Sequence, residues 1–150
     1  MNFNRTFFVT SVTHSRRTIF AVGQNAELFI RVLYGCRDER KFLLHAFVIM
    51  PEHFHLLITP ADLISLEKCI QLVKGRFSFK LHSRFSVWQP SFTNHRIHDS
   101  DDYGRHISYI HRNPVKRGLV SREGDSPYSS ANPQFRVDPV PQGLKPVFLT

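Results

Sequence analysis

The stretch Phe47-Val48-Ile49-Met50-Pro51-Glu52-His53-Phe54-His55-Leu56-Leu57-Ile58 decides how this chain folds. Two apolar runs, Lys41 to Met50 and His53 to Thr59, flank the two-residue connection Pro51-Glu52. A link that short joins neighbouring antiparallel strands. In the second run, alternation puts Phe54, Leu56 and Ile58 on the core face and both imidazoles, His53 and His55, on the other. Two neutral imidazoles side by side at a sheet surface make half of a divalent metal site, open to a substrate and still needing other ligands. Nine His in 150 residues yield roughly 0.5 such His-x-His pairs by chance, so the surrounding residues must carry the reading.

Outward from the hairpin, Thr6 to Thr13 reads as a strand rich in Phe, Val and Thr. Asn25 to Tyr34 reads as a helix with Leu28, Phe29, Val32 and Leu33 inward, and Gly35 helps to end it. Leu63, Leu66, Ile70, Val73, Phe77 and Leu81 repeat at three and four, marking a long amphipathic helix that displays Lys68, Lys74, Arg76 and Lys80 elsewhere. Ser91 to His98 can form a fourth strand. Asp99 to Asp102 supply a cap and dipole-favourable acids for a helix from about Ser100 to Arg112, which Pro114 is expected to end. The order strand, helix, strand, strand, helix, strand predicts an α+β fold: a two-layer, ferredoxin-like or RRM-like antiparallel sheet, helices packed on one face and the other face bare for a ligand. Residues 1–125 are expected to form one catalytic domain. Residues 126–150 form a Pro-rich tail that wraps over it or stays mobile, since Pro127, Pro133, Pro139, Pro141 and Pro146 forbid a long helix or central strand.

With 20 Lys plus Arg against 12 Asp plus Glu, the formal charge is +8. That balance favours a polyanionic partner, most simply nucleic acid. Cys36 and Cys69 belong to no CxxC pair, so neither a zinc finger nor a disulfide framework is indicated. No apolar leader and no stretch approaching 18 apolar residues is present, which predicts a protein without membrane attachment, working in the cytoplasm at the nucleoid. On the helix after Asp99, Tyr103, Ile107 and Ile110 share the inward stripe, and Tyr109 falls off it. Arg105 lies four residues before Tyr109 and Arg112 three after, so a phenol sits between two guanidiniums that suit phosphate oxygens.

The blocks Met50-Pro51-Glu52-His53-Phe54-His55-Leu56-Leu57, Trp88-Gln89, Phe92 with His95, Tyr109 to Val120 and Tyr128-Ser129-Ser130 occur in one order. Together, from about Phe7 to Ser130, they resemble the REP-associated tyrosine transposases, a branch of the small single-tyrosine HUH transposases. The resemblance implies that His53 and His55 hold a divalent cation, magnesium or manganese, with Asn113 as third ligand one helical turn beyond Tyr109. It implies that Tyr109 attacks a backbone phosphate, leaving a 5′-phosphotyrosine link and a free 3′-hydroxyl, so that strand transfer needs no ATP. Glu52 stands where the family usually has Asn or Asp, as an extra oxygen ligand or a turn residue.

Single-stranded or hairpin DNA is the expected substrate, with Arg105, Arg112, Lys116 and Arg117 as phosphate contacts beside the tyrosine. In the resembled branch the recognised elements are short palindromic repeats that fold into hairpins. A monomer is expected there, the alternative being a homodimer that shares its sites. Two rivals remain open at this point: a nucleic-acid-binding regulator that keeps the fold without cleaving, and a histidine-based RNA hydrolase that would make Tyr109 dispensable.

Overall fold

The structure is a computed structural model that describes residues 5–141 and 143–144. Strand β1 (Phe7–Val12) leads to helix α1 (Gly23–Asp38), followed by the hairpin β2 (Phe42–Met50) and β3 (His53–Pro60). Helix α2 (Leu66–Leu81), strand β4 (Thr93–Arg96) and helix α3 (Ser100–Lys116) complete the core. The four strands form one sheet in the order β2-β3-β1-β4, every neighbouring pair antiparallel. Among the described residues no helix is long and apolar enough to cross a membrane.

The α+β class and the antiparallel sheet agree with the sequence reading, but the helices do not share one face. Helices α1 and α2 cover the side that carries Phe47, Ile49, Phe54, Leu56 and Ile58. Helix α3 lies on the opposite side, where Tyr103 and Ile110 pack with Ala46, Val48, Met50 and Leu57. The reason is visible in burial: all eight residues of β3 and eight of the nine in β2 are buried. Strands apolar on both faces need a cover on both, so the face expected to be bare is half taken by α3, and the ligand surface is what α3 leaves open.

Under α1 and α2 the core is aromatic. Phe29 lies tilted against Phe54 (centroids 4.8 Å apart) and meets Phe20, Phe77 and Trp88 between 5.4 and 5.9 Å. Trp88 Nε1–H donates to the Lys74 carbonyl at 3.0 Å, so the indole is satisfied while it packs, partly buried, against the cluster. Phe29→Ala is expected to cost about 3–5 kcal/mol, because no neighbour can collapse into so large a void. A denaturant midpoint unchanged from the parent would contradict this packing.

Three boundaries differ from the sequence reading, each for a local reason. Helix α1 continues through Gly35 to Asp38 because Cys36 completes its buried stripe. Helix α2 starts at Leu66, where the Ser65 side chain accepts from Lys68 N–H at 3.1 Å, and Leu63 is left outside at 99% exposure. Helix α3 runs past Pro114 to Lys116. Its stop is Gly118, at φ +75°, in a Schellman closure: Leu119 N–H donates to the Pro114 carbonyl and Gly118 N–H to that of Val115, both at 2.9 Å. Asn113 therefore keeps helical geometry.

The tail, in its described part, covers the outer edge of β2. Ile49 N–H donates to the Tyr128 carbonyl and Ser130 N–H to that of Phe47, both at 2.9 Å. Asp138 receives Leu44 N–H at 2.7 Å and is forked by Arg37 at 2.7 and 3.2 Å. An edge strand closed in this way is no longer a template for pairing with another chain. Residue 142 and residues 145–150, with Pro146 among them, lie outside the described residues.

Candidate active site

The pleat of β3 points His53 and His55 toward the α3 side, where β1 presents Phe8, Thr10 and Val12 in register with Leu57, His55 and His53. The two Nε2 atoms lie 3.2 Å apart. Each ring is fixed from behind. His53 Nδ1–H donates to Glu52 Oε1 at 2.9 Å, and His55 Nδ1 is hydrogen-bonded to Thr10 Oγ1 at 2.8 Å, a hydroxyl that can donate or accept. With the proton of His53 on Nδ1, its Nε2 lone pair faces His55 Nε2; a His55 that is also protonated on Nδ1 directs both lone pairs into one space that a cation can fill, and one protonated on Nε2 donates to His53. Two donors about 2.1 Å from one octahedral ion sit about 3 Å apart, which is the spacing found.

Both imidazoles are held neutral. Burial pushes His55 down to about 3, and neighbouring His53 adds to the effect. Burial also lowers His53, opposed by the carboxylate of Glu52 and reinforced by the charges of Arg117 and Arg16. Burial alone would raise the Glu52 carboxyl, but hydrogen bonds from Arg117 and His53 bring it below the ordinary range. Arg117 reaches Glu52 through both terminal nitrogens, at 2.8 and 3.4 Å. The anchoring of His53 thus extends over two side chains.

Helix α3 brings Tyr109 and Asn113 to the same place. Its Tyr109 ring, half exposed, stands edge-on to His55 at 5.4 Å and to Phe8 at 5.8 Å, while Phe8 stacks on His55 at 5.2 Å. Tyr109, Asn113 and His53 line one open groove of about 1330 Å³, together with Arg105, Arg112, Lys116 and Arg117. Arg105 and Arg112 touch acids only at 3.6 and 3.8 Å, to Asp102 and Glu123, and their side chains remain largely exposed. Arg117 differs from them, being engaged with Glu52 while about half exposed.

The basic residues of α2 lie across the sheet from this groove. Lys74 donates to the carbonyls of Gln89 (3.3 Å) and Ser91 (3.1 Å), and Arg76 is paired with Glu39 at 2.6 Å, so both brace the fold. Two residues of the site escaped the sequence reading in its terms. Glu52, expected as a ligand or a turn residue, lies in the β2–β3 turn and in addition orients His53. Thr10 carried no signal, because its meeting with His55 depends on the β1–β3 register.

Among the described residues, the one group of three His and carboxylate donors is His95, His98 and Asp102, whose ligand atoms lie within 4.8 Å of one another. By residue type it could hold a metal ion. The oxygens of Asp102 are nevertheless already engaged: Oδ2 accepts from His95 Nε2 at 2.8 Å and His98 N–H at 3.0 Å, and Oδ1 lies 3.2 Å from His106 Nδ1. Those bonds tie β4 to the first turn of α3, which Asp99 caps through Asp102 N–H at 2.8 Å.

The chain is similar to known proteins over most of its length. Residues 3–113 match the family model described as Transposase IS200 like. The chain is 33% identical over 143 residues to the REP-associated tyrosine transposase of Escherichia coli (strain K12), an alignment that covers 95% of this chain and 82% of that protein. It is also similar to a solved structure of a REP-associated tyrosine transposase bound to a REP hairpin, with a TM-score of 0.76 and 27% identity, covering 96% of this chain and 90% of the other.

Proposed function

Because the chain belongs to the IS200-like transposases, in the branch of the REP-associated tyrosine transposases, we propose that it nicks and rejoins single-stranded or hairpin DNA through a covalent link to Tyr109. The observation that carries the reading is the pair of Nε2 atoms 3.2 Å apart, with the Tyr109 ring beside them in one basic groove. The donor set fits a magnesium or manganese ion, His53 and His55 supplying nitrogen and Asn113 amide oxygen. Such an ion, when bound, would polarise the scissile phosphate and stabilise the leaving oxygen.

The chain's own residues do the rest. Phe8 and His55 support the Tyr109 ring from below and leave its hydroxyl in the groove. Arg105 and Arg112, one turn to either side, hold the flanking phosphates. The phenol oxygen forms a bond to phosphorus, losing its proton, while the bond to the 3′ oxygen breaks and that oxygen takes up a proton as a free hydroxyl. The phosphodiester count is conserved, so attack by another 3′-hydroxyl reverses the step and joins strands. Glu52 and Arg117 keep His53 in the tautomer that presents Nε2.

Incubation with labelled hairpin DNA and manganese, followed by denaturing electrophoresis, tests the reading. A denaturation-resistant protein–DNA adduct is the expected product. Hairpin binding without an adduct would identify a binding protein that has kept the fold.

In this reading the catalytic domain is residues 1–125, and the tail braces β2 and, through Ser130 Oγ at 2.9 Å from His111 Nε2, the helix that carries Tyr109. The enzyme works on DNA in the cytoplasm. The Tyr109 ring stands 5.4 Å from His55 of the same chain, an arrangement that lets one chain supply both nucleophile and histidines and favours a monomer. Mixing His53→Ala with Tyr109→Phe protein should therefore restore no cleavage, whereas a dimer with shared sites would regain a measurable fraction. Glu52→Gln keeps the shape of its side chain but releases the Arg117 fork, and should weaken manganese binding about 10-fold in calorimetric titration. An unchanged affinity would remove Glu52 from the site.

A further inference from the structure

Helix α3 meets β4 through a group of imidazoles that cleavage at Tyr109 does not use. Strand β4 is an edge strand, paired with β1 over four residues, and three of its four side chains are exposed. His95 on that strand and His98 in the connection after it converge on Asp102 in the first turn of α3, one ligand atom of each lying within 4.8 Å of the others. Two imidazoles and one carboxylate are a ligand set for zinc, with a fourth position left to water.

Each donor is in a state to take a cation. Asp102 is buried, and burial alone would raise its carboxyl, but hydrogen bonds from His98 N–H and from His95 hold it below the ordinary carboxylate range. His106 steadies the other oxygen: its Nδ1–H donates to the Asp102 carbonyl at 2.8 Å and lies 3.2 Å from Oδ1. Orienting partners of that kind surround metal-bound carboxylates. His95 Nε2 stands 2.8 Å from Oδ2, and a neutral imidazole that carries its proton on Nδ1 leaves Nε2 free for a metal. The exposed His98 ring stands edge-on to His95 with centroids 5.5 Å apart and, among the described residues, has no hydrogen-bond partner; only its backbone N–H is used. Two ligands of a tetrahedral zinc sit about 3.3 Å apart. His95 and Asp102 must therefore part by about 0.5 Å, which an exposed edge strand permits. Of the bonds to Asp102, only that from His95 gives way.

We infer that His95, His98 and Asp102 form a zinc site, separate from the His53 and His55 pair, that clamps the edge strand β4 to the start of α3. Tyr109 lies about two turns further along the same helix. The ring of His106 connects the two places: it stacks on His95 at 4.8 Å and meets Phe8 at 4.8 Å, and Phe8 is the ring against which Tyr109 stands. A clamp here fixes the seat of the tyrosine without touching the reacting atoms. The zinc site stands whether or not Tyr109 cleaves DNA.

The test titrates tag-free protein carrying His53→Ala, which breaks the other imidazole pair, with zinc against a chromophoric chelator. One equivalent should bind, far more tightly than manganese, because affinity for nitrogen donors rises from manganese to zinc. Zinc should also raise the melting temperature. Adding His98→Ala should weaken zinc binding at least about 100-fold and remove that rise, while the melting temperature of the metal-free protein stays that of His53→Ala. His95→Gln in place of His98→Ala keeps an amide that can donate to Asp102 and should lose zinc in the same way. Cobalt in place of zinc should give the intense visible absorption of a four-coordinate site, absent from both double variants. Binding of less than one equivalent, or zinc uptake that neither second substitution weakens, overturns the site. A parent that forms no adduct with hairpin DNA overturns the cleavage reading and leaves the zinc site untouched.

Discussion

Tyr109→Phe should abolish the covalent protein–DNA adduct while leaving hairpin binding within about twofold of the parent. The substitution removes one oxygen and nothing else. The ring keeps its edge-on contacts with His55 and Phe8, and at 49% exposure the hydroxyl stands where water can replace any bond it makes. Stability should therefore stay within about 0.5 kcal/mol. Loss of a covalent nucleophile costs far more than loss of an orienting group, and a fall of at least about 10⁴-fold in the nicking rate is expected. Adduct formation by the Phe variant would mean that another residue attacks. Tyr34 and Tyr103 are poor substitutes: burial pushes each phenol up to about 12, and Tyr103 sits inside the interface of α3 with the sheet.

His53→Ala is the second large effect, and of the two histidines it is the more informative to change. Glu52 would lose one partner and keep Arg117, so no buried charge is left alone. Deleting His55, by contrast, would strand the Thr10 hydroxyl and open a void beneath Phe8, which mixes folding with function. His53→Ala should abolish manganese binding in calorimetric titration and lower nicking by at least about 10²–10³-fold, with the melting temperature of the metal-free protein little changed. Retained manganese affinity would move the ion elsewhere, the His95, His98 and Asp102 cluster being the first place to look.

The same pair predicts how the metal-free protein responds to acid. His53 and His55 are both depressed below 6.5, His55 to about 3, so the unfolded chain takes up protons that the folded chain refuses. Their contribution is complete above about pH 6.5 and is lost as pH falls from there toward 3. Glu52, depressed in the fold, acts in the same direction below 4.5. Denaturant midpoints measured across that window should fall steadily with pH; a flat profile would mean that the imidazoles are not held neutral by burial.

What the chain states in local patterns proved legible before any coordinates. Alternation through His53-Phe54-His55 put both imidazoles on one face because the strand period is two. Two residues between apolar runs announced the hairpin, and the i, i+4 step from Tyr109 to Asn113 announced one shared face on the condition that the helix ran past Arg112. Three things lay beyond such patterns. Runs with apolar residues on both faces, as in β2 and β3, name no side for a helix, so only packing decided that α3 covers the face of the histidines. Pro114 is a strong local breaker, yet its buried ring and the Schellman closure at Gly118 let α3 continue, and Asn113 stays in register with Tyr109. Finally, the partners that fix the site are distant in sequence: Thr10 meets His55 across 45 residues, and Arg117 meets Glu52 across 65. By itself the sequence determined which groups are present and which faces they share, since those follow from backbone periods of two and 3.6 residues. Only the tertiary structure decided the hydrogen bonds that orient the imidazoles and the basic groove around Tyr109, because these depend on strand register and helix docking, which no local period encodes.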